Sequence, residues 1–324
     1  MTQEIIRQSD NTRSIHNIYD ESASVIPVQR DYTEMLDRYI KYIDSTPKTI
    51  ETYTKALRQF GYYLRENGVR YPDRETVISY RESLKENHKP TTVQNYITAL
   101  RLFFKWTEET GLYPNIANHV KGAKLSREHK KDYFTADQVK DLLASIDRST
   151  EQGSRDYAIM LLMITGGLRT VEVSRANIED IKLTAGNVVL YVQGKGRSEK
   201  AEYIKLSAIT ERAIRKYLSF RGSPSVSEPL FTSTSNNNRG ARMTTRSISA
   251  IAKNIMTGAG FNSDRLTAHS LRHTAVTLSL LAGESLEEVK QFARHSNIST
   301  TLIYNHAIDE SKNNCSEAIS ALIG

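Results

Sequence analysis

Cysteine is nearly absent: Cys315 stands alone in 324 residues. That excludes an internal disulfide and a cysteine-rich zinc site, and it fits a reducing compartment. No apolar run approaches the roughly 18 residues of a membrane span. The opening MTQEIIRQSDNTRSIHN lacks the apolar stretch of a signal peptide. The expectation is a soluble cytoplasmic protein without membrane contact. Internal repeats are lacking too, and the one biased stretch, Ser233 to Asn238, reads as a loop. Basic charge is not scarce. Lys and Arg number 44 against 37 Asp and Glu, a net of +7 that favours an anionic partner. Hydrophobic residues at 39% and charged residues at 25% are ordinary for a globular protein, and the length suits two domains with separate cores.

Residues 1 to about 30 are polar and without a sustained period, so they read as a flexible tail or short arm. From Tyr32 the pattern turns helical, with Met35, Leu36, Tyr39, Ile40 and Ile43 on one stripe. Thr46-Pro47 marks a new start, followed by Tyr53, Leu57, Phe60 and Leu64 on one face and Gly68 at the end. A third helix is expected over Arg74 to Glu86. Pro90-Thr91-Thr92 opens a fourth, carrying Tyr96, Leu100, Phe103, Phe104 and Trp106 and stopping at Gly111. Next comes KGAKLSREHKKD, Lys121 to Asp132, with five basic residues against two acidic ones. It reads as a solvated linker, as a basic strap over a duplex backbone, or as both. Beyond it, Thr135 to Gln138 forms a capping-box pattern. An apolar helix is expected over Arg155 to Thr165. Strands are expected over Val188 to Val192 and Tyr203 to Leu206, joined by a Gly194-Lys195-Gly196-Arg197-Ser198 turn. Helices near 208–220, 245–257, 270–282 and 285–293 complete the reading.

Three clusters carry the chemistry. Gly166-Gly167-Leu168-Arg169-Thr170-Val171-Glu172 follows the apolar helix. His269-Ser270-Leu271-Arg272-His273 comes next, then the run from Ala293-Arg294-His295 to Tyr304. Cleaving a phosphodiester with a protein nucleophile needs cations on the non-bridging oxygens, a proton donor for the departing oxygen and an aligned attacking oxygen. Arginine offers a planar fork that never deprotonates. Lysine or histidine can release a proton once its environment lowers its pKa. Tyrosine gives a covalent bond that stays reversible, because phenolate leaves more readily than alkoxide.

Glu172, three residues after Arg169, shares its face if the segment is helical; it either fixes that arginine or is a surface partner. His269 and Arg272 project together at i, i+3. His269 and His273 have a zinc-compatible i, i+4 spacing, but an arginine lies between them and no third ligand is close by, so no metal is expected. His273 reads as a packed or helix-bonding histidine. Lys195 sits at a hairpin tip, and its Gly-Lys-Gly is too short for a phosphate-binding P-loop.

The order and spacing of these clusters resemble the catalytic half of the tyrosine recombinases, the integrase family, over residues 133 to 310. Residues 31 to 115 resemble the family's core-binding domain more weakly, through Thr91-Thr92, Leu100 and Phe103-Phe104-Lys105-Trp106. One departure stands out. Where the family has Leu-Gly-His, this chain has Ala293-Arg294-His295, placing bulk and charge at a glycine position.

The resemblance implies a mainly α fold with a small β-sheet: an all-helical core-binding domain and an α+β catalytic domain. Its parts are a tail (1–30), a helical DNA-binding domain (31–118), a basic linker (119–133), a catalytic domain (134–310) and a C-terminal docking segment (311–324). It implies a C-shaped clamp on duplex DNA at a specific recombination site. Arg169, Arg272 and His295 would hold the scissile phosphate while Tyr304 attacks it to give a 3′-phosphotyrosine. Lys195 would be general acid, with Lys200 in reserve; His269 would assist proton transfer and Glu172 support the site. No cofactor, metal or ATP is implied. Homotetramers on two DNA sites are, with accessory DNA-bending proteins allowed for and location at the nucleoid. Ala318, Ile319, Leu322 and Ile323 form an apolar stripe for docking on a neighbour or folding back on the chain's own core. DNA contacts are expected from Thr91, Thr92 and Asn95, from Lys121 and Lys124, and from Arg242 and Arg246. Competing readings are a type IB topoisomerase-like enzyme and a catalytically silent DNA-binding regulator.

Overall fold

Helix-starting and helix-stopping residues divide the first hundred residues into four helices. The computed structural model describes residues 28–124, 132–194, 197, 199–311 and 315–323. The expected tail, up to residue 27, lies outside the described residues. By its contacts the chain separates into two compact units, Met1–Arg127 and Glu128–Gly324.

The first unit holds α1 (Val28–Tyr42), α2 (Pro47–Glu66), α3 (Arg74–Asn87) and α4 (Pro90–Glu109). Helix α1 starts one turn before the expected Tyr32. Thr46 caps α2, accepting from the Thr49 amide, and Pro47 occupies the first turn, where its missing N–H is no loss. Gly68 and Gly111 follow α2 and α4 at φ +66° and +67°, a left-handed turn that costs glycine little. Helix α4 is the core of this unit: Val93, Ile97, Leu100 and Phe103 are fully buried. Such side chains contribute about 1.5–3 kcal/mol each. Phe103 meets Tyr32 and Tyr39 edge-on, with centroids 5.6 and 5.3 Å apart.

The second unit contains α5 (Ala136–Ala144), α6 (Glu151–Thr165) and α7 (Thr170–Arg175). Strands β1 (Ile181–Thr184), β2 (Asn187–Val192) and β3 (Glu202–Lys205) follow. Helices α8 (Ala208–Phe220), α9 (Thr245–Gly258), α10 (Ala268–Leu281), α11 (Leu286–Ala293), α12 (Ser299–Ser311) and α13 (Cys315–Ile323) complete it. Helix α6 is buried all round from Ser154 to Ile164, as a central core helix should be. Its buried Arg155 is satisfied by Asp156 and the Thr232 carbonyl. Thr150 caps this helix, so it begins a turn before the expected Arg155.

The described strands form an antiparallel meander in the order β1-β2-β3, with Leu190 opposite both Ile181 and Ile204. Two strands were expected and three are found. The added strand, β1, turns into β2 through Ala185 and Gly186, both at positive φ, as a tight hairpin requires. The fold is thus mainly α with a small sheet, as the resemblance implied. No helix among the described residues is long and apolar enough to cross a membrane.

Candidate active site

The three clusters read from the sequence meet where α7, α10, α11 and α12 approach one another. Gly167, at φ +57°, turns the chain out of α6, and Arg169 then stands as the cap of α7. Glu172, in the first turn of α7, reaches back. One carboxylate oxygen accepts from the Arg169 amide at 2.8 Å, and the other from Arg169 Nη1, also at 2.8 Å. Glu172 is fully buried, so it is no surface partner. Lining the adjacent cleft, of about 580 Å³, are Arg169, Lys253 and His269.

Helix α10 brings His269, Arg272 and His273 to one side. Arg272 is 2% exposed. Its Nη1 donates to the Gly167 carbonyl at 2.5 Å and its Nη2 to the Ala293 carbonyl. Burial pushes this guanidinium down to about 9, aided by the charges of Arg169 and Arg294 and opposed by Glu172 and Tyr304. It therefore stays cationic at neutral pH.

Helix α11 closes in a Schellman turn: the Arg294 amide bonds the Gln291 carbonyl and the His295 amide bonds that of Lys290. The residue in the left-handed conformation is Arg294, at φ +53°. Here lies the reason for a glycine at this position, and this chain fills it with arginine. The Arg294 side chain, 4% exposed, donates to Glu172 at 2.9 Å, to the Gly167 carbonyl at 3.2 Å and to the Phe292 carbonyl at 2.8 Å. Burial would raise the Glu172 carboxyl. Arg294, the Arg169 amide and the charges of Arg169 and Arg272 outweigh it and hold the group below its usual range.

His295 accepts from or donates to Thr301 Oγ1 through Nδ1 at 3.0 Å. Burial first, then the surrounding arginines, depress its pKa to about 4, so the ring is neutral at pH 7. Tyr304 on α12 is 7% exposed, its ring stacked 6.4 Å from that of His295. Its hydroxyl contacts His273 Nδ1, and the His273 ring sits 4.5 Å from that of His269. Burial raises the phenol to about 12, against the pull of Arg272 and Arg169.

Arg169, Glu172, His269, Arg272, His295 and Tyr304 are therefore brought together. Two neighbours were not assigned to the site beforehand. His273 is packed, as read, but packed against the Tyr304 hydroxyl. Arg294 was visible as a departure, and its side chain joins the cluster. Lys195, like Gly196 and Ser198 of the same turn, lies outside the described residues. Lys200 is committed elsewhere, its Nζ 2.5 Å from Asp180, which also accepts from the Asn177 amide. Among the described residues no three of His, Cys, Asp or Glu gather as metal ligands.

The expected DNA contacts fall on other stretches of the chain. Thr91 and Asn95 are exposed at the start of α4, with Thr92 half-buried beside them. Lys121 and Lys124 are exposed. Arg246 is exposed in the first turn of α9. Arg242, also exposed, donates to the Ser174 and Ala176 carbonyls and to Asn177.

Residues 132–311 match the phage integrase family, and residues 32–112 match the phage integrase N-terminal SAM-like domain. A tyrosine recombinase of Synechococcus elongatus is 25% identical over 319 residues, covering 94% of this chain and 98% of its own. The tyrosine recombinase XerC of Caldanaerobacter subterraneus is 27% identical, with 86% and 84% covered. For XerD of Listeria innocua the identity is 27%, with 84% and 94% covered. The fold resembles that of XerH site-specific recombinase bound to palindromic difH substrate in a post-cleavage complex. The TM-score is 0.70 at 21% identity, with 91% of both chains covered. A lambda integrase dimer bound to a COC′ core site gives 0.64 at 15%, covering 83% of this chain and 96% of that one. These relatives do not favour the topoisomerase-like alternative. The chain belongs to the phage integrase family and is a tyrosine recombinase of the Xer/integrase kind.

Proposed function

We propose that this protein cleaves and rejoins duplex DNA at a specific site through a 3′-phosphotyrosine on Tyr304. What carries the reading is the convergence of Tyr304 with Arg169, Arg272 and His295 from distant stretches of the chain. The charges of Arg169 and Arg272, with the neutral His295 ring as a hydrogen-bonding partner, favour the extra negative charge of a pentacoordinate phosphorus. The Tyr304 oxygen bonds to phosphorus while the bond to the 5′-oxygen breaks. Its proton passes to the imidazoles of α10, with His273 against the hydroxyl and His269 beside it assisting, and the departing oxygen takes a proton from Lys195. Attack by the partner strand's 5′-hydroxyl reverses each transfer, so neither metal nor ATP is consumed. Arg169, Arg272 and His295 hold the phosphate, and Glu172 orients Arg169.

In this reading residues 31–118 bind DNA, 119–133 link, 134–310 catalyse and 311–324 dock on a neighbouring subunit. The two domains clamp the duplex at the nucleoid, and four copies synapse two sites, with or without DNA-bending accessory proteins. Thr91, Thr92, Asn95, Lys121, Lys124, Arg242 and Arg246 contact the DNA, mostly through phosphates, which position without specifying sequence.

The test uses duplexes selected by the purified protein from a random pool. Plasmids carrying two copies of the selected site should yield recombinant products in EDTA without ATP, and single-site plasmids should not. Relaxation of single-site plasmids without any recombinant product would contradict the proposal.

A further inference from the structure

Resting on that reading, we infer that Arg294 is a positioning residue for strand cleavage: it clamps the Glu172 carboxylate so that Arg169 is oriented before DNA arrives. The position calls for glycine on backbone grounds, since φ is +53° and an L side chain is disfavoured there. Arginine brings no backbone advantage, only reach. From the end of α11 its guanidinium enters the cluster, almost wholly buried, and contacts two other segments of the chain, Gly167 and Glu172.

The carboxylate explains what this reach does. Glu172 alone would neutralise Arg169, and an incoming phosphate would compete for the guanidinium of Arg169, whose side chain is 27% exposed. With Arg294 on the second oxygen, one negative charge is divided between two arginines. Arg169 keeps its orientation and retains more positive charge for phosphate. The same Arg294 Nη2 also meets the Gly167 carbonyl that Arg272 uses, so the two guanidiniums share one acceptor. The Arg294 Nε finds no acceptor among the described residues.

The experiment is single-turnover formation of the Tyr304–DNA adduct at saturating nicked duplex, with DNA affinity measured separately. Arg294→Gly suits the backbone and removes the guanidinium. Adduct formation should slow on the order of tenfold to a hundredfold, the effect of a misplaced reacting group, with DNA affinity unchanged. Arg294→Lys, which restores a cation but not the fork, should recover part of that rate. In a Glu172→Gln background, which also relieves the buried charge, Arg294→Gly should add no further loss, because the two act as one unit. Wild-type rates in Arg294→Gly, losses that multiply in the double variant, or a loss confined to DNA affinity would each overturn the inference. A wild type that forms no adduct would instead overturn the functional reading and take the inference with it.

Discussion

At the scale of single residues, Arg294 sets two magnitudes against each other. A left-handed non-glycine residue costs about 1–2 kcal/mol. Stripping one partner from a buried ion pair costs roughly 3–5 kcal/mol when the other charge is left unpaired; Glu172 would keep both contacts with Arg169, so the loss on removing Arg294 is smaller than that. His295, the next residue in the same turn, carries a pH dependence. In the unfolded chain a histidine takes up a proton below about pH 6.5; in the fold, burial and the neighbouring arginines delay that until about 4. Between those values the unfolded state binds more protons, so stability should fall as pH drops through the window. Thermal melting of the wild type from pH 7 to 4 should show the decline, and His295→Gln should flatten it. Identical slopes in the two proteins would contradict the assignment. Residue types and spacings made Arg169, His269, Arg272, His295 and Tyr304 legible in the sequence. The reach of Arg294 to Glu172, and the contact of His273 with the Tyr304 hydroxyl, were not. Both depend on how α10, α11 and α12 pack, and no local pattern encodes that.

At the scale of elements, caps and turns were the clearest signals. Thr46-Pro47, Gly68, Pro90, Gly111 and Thr135 mark helix ends through backbone chemistry that acts within a few residues. Strand β1 escaped because Ile181 to Thr184 is only four residues long, too short for its apolar–polar alternation to stand out, and burial does not follow that alternation, with Leu183 75% exposed. The start of α6 escaped because its first turn, Glu151 to Ser154, is polar although Thr150 caps it. The stripe on α13 had two readings, docking on a neighbour or folding back. Ile319, Leu322 and Ile323 are 57%, 86% and 82% exposed, so they are not folded back in the single chain. Truncation after Asn314 should abolish cooperative assembly on two-site DNA while leaving single-site affinity intact, as read by native gel shift. Cooperative assembly that survives truncation would remove α13 from the interface.

At the scale of the whole molecule, each unit has a separate core. One gathers around Phe60, Phe103 and Phe104, the other around α6, Leu190 and Leu271. The basic stretch read as a linker, Lys121 to Asp132, stands between two periodic regions of the sequence, and its residues 125–131 lie outside the described residues. The net charge of +7 supplies a general attraction for DNA, and the arginine cluster a local one. The central claim concerns what Tyr304 does once DNA is bound. Its most direct test mixes the protein, in EDTA, with nicked duplex that it binds, then denatures the mixture and compares wild type with Tyr304→Phe. The account predicts a protease-sensitive protein–DNA adduct in the wild type alone, with both proteins binding the duplex equally. An adduct that persists in Tyr304→Phe, or none in a wild type that binds the DNA, would contradict it.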